Sequence, residues 1–191
     1  MPLDVSDSIA VKAAIAKIEQ DSGPIDVLVN NASLSKTCKL EELDFSVIDT
    51  VIDVNLKGTL YCTYAVLPGM IGNGGGYVFN VSSIAGMHAS RVSSPGREIT
   101  IAPYGTSKFG VVGFGEQNAS FLQHGVLMTT LCPGSLNTPF WYKDGRNQCP
   151  GGEPEKLTDP QEIAEMIDFI LGQPKKTLFK QVVFFPTSEW H

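Results

Sequence analysis

Tyr104 and Lys108 stand four residues apart in Tyr104-Gly105-Thr106-Ser107-Lys108, a spacing that sets both side chains on one helical face, about one turn apart. A tyrosine at its usual pKa of about 10 exchanges protons poorly at neutral pH. A lysine ammonium about 4 Å away, at an effective dielectric near 20, favours the phenolate by roughly 4 kcal/mol. That is about three pKa units, less whatever burial takes back. Such a pair can trade a proton with an alcohol or carbonyl oxygen near pH 7. The spacing is common by chance, so its meaning depends on what the chain brings beside it.

The hydrophobic pattern supplies a scaffold for that pair. From Ser8 to Gln20, Val11, Ala14, Ile15 and Ile18 share one helical face, and Gly23-Pro24 stops the run. Ile25 to Val29 is a near-continuous apolar stretch ending at Asn30-Asn31, the pattern of a strand buried on both faces of a parallel sheet. A long helical region covers Glu41 to Met70, broken near Asn55 or Gly58. Gly74-Gly75-Gly76 leads into a second strand, Tyr77 to Val81, closed by Ser82-Ser83. Tyr104 to Leu122 reads as helix despite Gly105, Gly110, Gly113 and Gly115. Glycines cost up to about 1 kcal/mol each in a helix, so that density implies close packing on another helix. Val126 to Cys132 is a third strand, ending at Pro133-Gly134, and Val182 to Phe185 is the last. Between them, Asp159, Pro160 and Glu162 spell an N-cap, a first helical residue and a capping-box acid. Ile163, Met166, Ile167 and Ile170 form that helix's apolar stripe, and Gly172 ends it.

Alternating strands and helices predict an α/β domain over residues 1–191 with a mainly parallel sheet. Ligands of such sheets bind beyond the carboxyl ends of the strands. Those ends carry Asn30-Asn31-Ala32, Ser82-Ser83 and Pro133-Gly134, so the polar and tight motifs converge on one edge. With 191 residues, 42% of them hydrophobic, and a net charge of −6, the chain has enough apolar material for a core. Its acidity, with a pI near 5.0, argues against nucleic acid or an anionic membrane as partner. No apolar run reaches the roughly 18 residues of a membrane span, and no signal-peptide pattern opens the chain. Cys38, Cys62, Cys132 and Cys149 show no metal-ligand spacing, so reduced thiols, no metal and a cytoplasmic location are expected. A serine hydrolase is disfavoured: there is no GxSxG elbow, and Ser33-Leu34-Ser35-Lys36 matches SxxK without companion motifs.

Taken in order, Asn30-Asn31-Ala32-Ser33, Asn55 within Asp53-Val54-Asn55-Leu56-Lys57-Gly58, Val81-Ser82-Ser83, Tyr104-Gly105-Thr106-Ser107-Lys108 and Pro133-Gly134-Ser135-Leu136-Asn137-Thr138 resemble the motifs of the short-chain dehydrogenase/reductase family. The resemblance runs over essentially the whole chain. It implies a Rossmann-like three-layer fold and hydride transfer between NAD or NADP and a small alcohol or ketone. It makes Tyr104 the acid-base group, Ser83 the donor to the substrate oxygen, and Lys108 the residue that lowers the tyrosine pKa and binds the nicotinamide ribose. Asn55 would hold a water linking Lys108 to solvent. Thr138, with Pro133 and Gly134, would fix the nicotinamide carboxamide. Asn30, Asn31 and Ala32 would line the cofactor cleft, and Asp4-Val5 would contact adenine. A homodimer or homotetramer is implied, built on the helices around Leu56–Met70 and Tyr104–Leu122.

Three departures qualify that resemblance. Ser33 stands where the family has glycine, and the 21-residue interval from Ser83 to Tyr104 is long, with the surplus around Arg91 to Ile101 including Pro95-Gly96. His88 in that stretch is given no catalytic role. The glycine-rich phosphate turn is missing: two β-α units of about 50–60 residues would precede Asp4, with Met1–Val5 as the tail of a third strand. Gly72-Asn73-Gly74-Gly75-Gly76 enters a strand rather than opening a helix, so it reads as a flexible turn and not as that motif. Weak or no cofactor binding is therefore expected, Ile25 to Val29 would present a flat apolar edge, and a non-catalytic role through association is the alternative. The stretch Asn137 to Lys156 would shape the substrate pocket, with Phe140, Trp141 and Tyr142 as an apolar lid.

Overall fold

Asp7 opens the first helix by accepting the amides of Ile9 and Ala10 at 2.9 and 3.0 Å. Helix α1 (Ser8–Ser22) ends at Gly23, whose φ of 86° lies in the left-handed region that glycine enters without strain. Val11, Ala14 and Ile15 are buried as expected, while Ile18 stays 39% exposed at the rim of the apolar face. The computed structural model describes residues 1–36, 38–42, 44–88, 93–94, 97–143, 146–147 and 153–189. Arg91, Pro95-Gly96 and Cys149, named above, lie outside them, as do the side chains of Cys38, Trp141 and Tyr142.

Four strands make the central sheet: β1 (Val27–Asn30), β2 (Gly76–Val81), β3 (Val126–Pro133) and β4 (Gln181–Phe184). They lie in the order β1-β2-β3-β4, and all pairs are parallel. Helices α2 (Phe45–Ile52) and α3 (Gly58–Gly72) are joined without a loop by a π-helical turn, Asp53–Lys57. The break expected near Asn55 is thus a bulge inside one long helical path, a feature often found at functional sites. Helix α4 (Ala102–Gly115) is shorter than expected, and α5 (Asn118–Leu122) follows after a turn. Helix α6 (Pro160–Leu171) carries the Asp159–Glu162 capping box.

Alternation along β2 and β3 divides the core in two. Val78, Val126 and Met128 face Val11 and Ile15 of α1, Cys62, Val66 and Met70 of α3, Phe114 of α4 and Phe121 of α5. Tyr77, Phe79, Leu127 and Leu131 face Ile163 and Ile170 of α6. Helices therefore cover both faces of the sheet, giving three layers. The cover over β1 is one-sided: Leu28 packs into the first cluster, but Val27 and Val29 are 38% and 42% exposed. As expected, this strand lies at the sheet edge, but it is not buried on both faces. Only the helical layer of α1 and α3 covers it.

The glycines of α4 divide in their roles. A methyl at Gly110 would stand 2.8 Å from the side-chain end of Leu56 in the π turn, so there α4 does pack closely on a neighbouring helical segment. Gly115 faces Thr130 of β3, a strand rather than a helix, and Gly113 faces open space. Gly74 and Gly75, with φ of 84° and 129°, form a tight turn packed on the Gly125 backbone at the amino end of the strands. It is no loose linker, and it sits at the opposite end of the sheet from the converging motifs.

Candidate active site

The register aligns Asn30 with Asn80 and Asn80 with Thr130, so the carboxyl ends of β1, β2 and β3 share one edge. Beyond β2 the chain turns sharply at Ser83, which caps a short 3-10 turn, Ile84–Gly86, by accepting the Ala85 amide at 3.1 Å. Helix α4 lies directly on that turn. Ser82 Oγ donates to the Lys108 carbonyl at 2.9 Å, and a methyl on Gly86 would come within 2.6 Å of the same oxygen. Backbone against backbone cannot yield cheaply. Gly86→Ala is therefore expected to cost about 1–3 kcal/mol, read as a lowered urea midpoint, and to separate Ser83 from α4.

That contact brings the Ser83 hydroxyl close enough to the half-buried Tyr104 phenol to influence its ionisation. Burial raises the phenol above its ordinary pKa, and Ser83 only partly opposes it. Lys108, 3% exposed, has its ammonium 5.6 Å from the Tyr104 ring centre and donates to the Val81 carbonyl at 2.8 Å. Burial pushes Lys108 down to about 8. The expectation that lysine pulls the tyrosine down thus meets a correction. The lysine's hydrogen bond goes to β2, and desolvation is the largest influence on both groups.

Asn55, in the π turn, is 1% exposed, with both amide protons committed. Its amide donates to Leu34 O at 2.8 Å and Ser107 Oγ at 3.0 Å, while its oxygen accepts Leu34 N at 2.8 Å. It fastens the chain leaving β1 to α4, and neither amide proton is left for a water. Asn30 likewise turns inward: its amide donates to Thr63 Oγ1 at 2.9 Å and Asn80 Oδ1 at 2.8 Å. Its side chain therefore belongs to the polar layer under α3 and does not line a cleft. Asn31 and Ala32 are exposed at the edge, and Ser33 Oγ beside them is buried with no hydrogen-bond partner. Asp4 Oδ1 accepts from the amide and hydroxyl of Ser6 at 2.9 and 2.7 Å, which holds its carboxyl below the usual range. Val5 packs on Gly58. Across the edge, Gly134 N donates to Phe184 O at 2.8 Å and Thr138 N to Leu136 O at 2.9 Å.

A family model described as short chain dehydrogenase matches residues 1–148. The chain belongs to that family. An uncharacterized oxidoreductase of Staphylococcus saprophyticus is 31% identical over 185 residues, covering 96% of this chain and 73% of that protein. The 3-oxoacyl-[acyl-carrier-protein] reductase of Thermotoga maritima is 32% identical over 189 residues, covering 95% and 72% respectively. Among solved structures, an alcohol dehydrogenase from the archaeon Thermococcus sibiricus, complexed with 5-hydroxy-NADP, superposes with a TM-score of 0.81 at 26% identity, covering 99% of this chain and 74% of its own.

Three residues at the site of this short-chain dehydrogenase were not singled out from sequence for the positions they take. Cys132 is buried within electrostatic reach of Lys108, close to Ser82 and Ser83, and burial keeps it a thiol. Its place just before Pro133-Gly134 was the available signal. Phe140, expected only as part of a lid, sets its ring 5.9 Å from that of Tyr104 at 49°. Glu189 reaches the Ser135 amide, and no motif marks it. Among the described residues no helix is long and apolar enough to cross a membrane, and no cluster of His, Cys, Asp or Glu could hold a metal.

Proposed function

We propose that this short-chain dehydrogenase interconverts an alcohol and a carbonyl compound with NAD or NADP as hydride partner. The observation that carries the reading is the juxtaposition of Ser83 and Tyr104, backed by Lys108, at the carboxyl edge of a parallel sheet. The cofactor supplies or accepts the hydride when bound. Tyr104, protonated at neutral pH because burial raises its pKa, gives its proton to a carbonyl oxygen during reduction and takes it back during oxidation. Ser83 donates to the same substrate oxygen. Lys108 supplies a cation behind the phenol and a donor for ribose hydroxyls. Asn55 acts by holding Leu34 and Ser107 in place. Phe140 makes one wall apolar beside Tyr104, which suits a substrate with a hydrocarbon portion.

Residues suited to the nicotinamide end are present: Asn31, Ala32, Pro133, Gly134 and Thr138 ring the edge, and the orphaned Ser33 hydroxyl supports a polar ligand there. Asp4 and Val5 stand as the adenine-side candidates. The pyrophosphate is less well provided for. Among the described residues no glycine-rich turn leaves a strand to open a helix at this edge, since Gly74 and Gly75 lie at the other end. Charged hydrogen bonds of that kind are worth about 1.5–3 kcal/mol each. Titration of NADH or NADPH into the 191-residue chain, followed by calorimetry, is thus expected to show no submicromolar binding. A submicromolar dissociation constant would mean that other residues anchor the phosphates.

Association with a second copy through α3 and α4 completes the proposal. Tyr64 and Phe109 on those helices are 57% and 49% exposed, an arrangement suited to a helical interface in a homodimer or homotetramer.

A further inference from the structure

After β4 the chain makes one more 3-10 turn, Thr187–Glu189, held by a bond from Glu189 N to Pro186 O at 2.9 Å. Two side chains of this turn reach back across the carboxyl edge. Glu189 Oε2 accepts the Ser135 amide at 3.0 Å, and Ser188 Oγ donates to the Lys156 carbonyl at 3.0 Å. Those partners are the two feet of the segment expected to shape the substrate pocket. The feet are also tied to each other, by Thr158 N to Ser135 O at 3.2 Å and Asn137 N to Thr158 O at 2.9 Å.

The glycine between Pro133 and Ser135 fits the same arrangement. A methyl on Gly134 would stand 2.6 Å from Glu189 Oε2 and 2.5 Å from Phe185 Cβ. Its lack of a side chain is what lets the carboxylate approach the loop. A carboxylate on a partly buried amide is among the stronger hydrogen bonds a loop can have. Among the described residues, the loop's other hydrogen bonds are neutral backbone bonds.

We infer that Glu189 is a positioning residue: with Ser188 it clamps both feet of the pocket-shaping segment and so sets the loop from Pro133 to Thr138. That this loop meets a nicotinamide rests on the function proposed above; the clamp itself does not. Replacing the carboxylate frees the Ser135 amide and leaves the loop held to the return at Thr158 by backbone bonds alone.

Amide hydrogen exchange followed by NMR on the 191-residue chain reads the clamp with no ligand present. Glu189→Ala is expected to speed exchange at Ser135 by about tenfold or more, whereas Glu189→Gln, whose amide oxygen still accepts, stays within about threefold of the parent. Amides of Met128 and Leu131 in β3 should keep their protection in both variants, which separates local release from unfolding. Parent-like exchange at Ser135 in the alanine variant overturns the inference, and so does a glutamine variant as fast as the alanine one. Adding NADPH tests the functional reading separately. Shifts at the amides of residues 134–138 that weaken in Glu189→Ala and return in Glu189→Gln support the clamp as part of the cofactor site. If the parent shows no shifts while exchange behaves as expected, the clamp stands and the proposed contact of this loop with the cofactor fails.

Discussion

Replacing Tyr104 with phenylalanine is expected to lower turnover by about 10²–10⁴-fold, the usual worth of a positioned general acid-base group. Affinity for the nicotinamide cofactor should change little. The substitution removes one oxygen and keeps the ring, so the contact with Phe140 at 5.9 Å remains. It also deletes the oxygen beside the Ser83 hydroxyl, so the substrate oxygen loses its proton source and the hydroxyl that orients it. Direction matters too. Because burial holds the phenol protonated through the neutral range, carbonyl reduction starts from the form it needs. Alcohol oxidation must first lose that proton, and its rate should climb with pH where reduction does not. Steady-state kinetics in both directions, with cofactor at millimolar concentration, would check this. Unchanged turnover in Tyr104→Phe would remove the tyrosine from the mechanism.

How far the chain could be read in advance depended on the range of each interaction. The Asp159 capping box closes within three residues, and it formed as spelled. The motif order carried the family and brought Ser83 to Tyr104 across 21 residues, because a turn packed on α4 leaves little freedom. The edge position of β1 was expected, and the strand does lie at the sheet edge. The open face was not legible, because Val27 and Val29 look like core residues. Side-chain direction was lost in the same way. Asn30 was expected to line the cofactor cleft and Asn55 to hold a water, yet the amide protons of both are spent inside the structure. The sign of the tyrosine shift also turned on a quantity with no sequence signature, namely how much water α4 excludes from the phenol and the ammonium. Glu189 is the extreme case: 54 residues separate it from Ser135.

Lys108→Met is expected to abolish efficient turnover and to change how stability depends on pH. The folded chain holds Lys108 at about 8 against an ordinary 10.5, because the ammonium is buried. Between those values the unfolded chain binds more protons than the folded one, so stability rises with pH through that window. The rise from pH 7 to 9.5 should be about 2 kcal/mol for the parent. Methionine has no proton to lose, and that contribution vanishes. The thiols of Cys62 and Cys132 and the phenols of Tyr77 and Tyr104, all raised by burial, act in the opposite sense but are common to both proteins. They largely cancel when the two urea-denaturation profiles are subtracted. At pH 7 the variant also sheds the cost of a buried cation, offset by the lost bond to Val81 O. It should therefore be no less stable than the parent while catalytically disabled. Parallel profiles for parent and variant from pH 7 to 9.5 would show that Lys108 keeps an ordinary pKa in the fold. The cation would then be fully charged behind Tyr104, and the tyrosine would feel more of its attraction than the buried geometry allows.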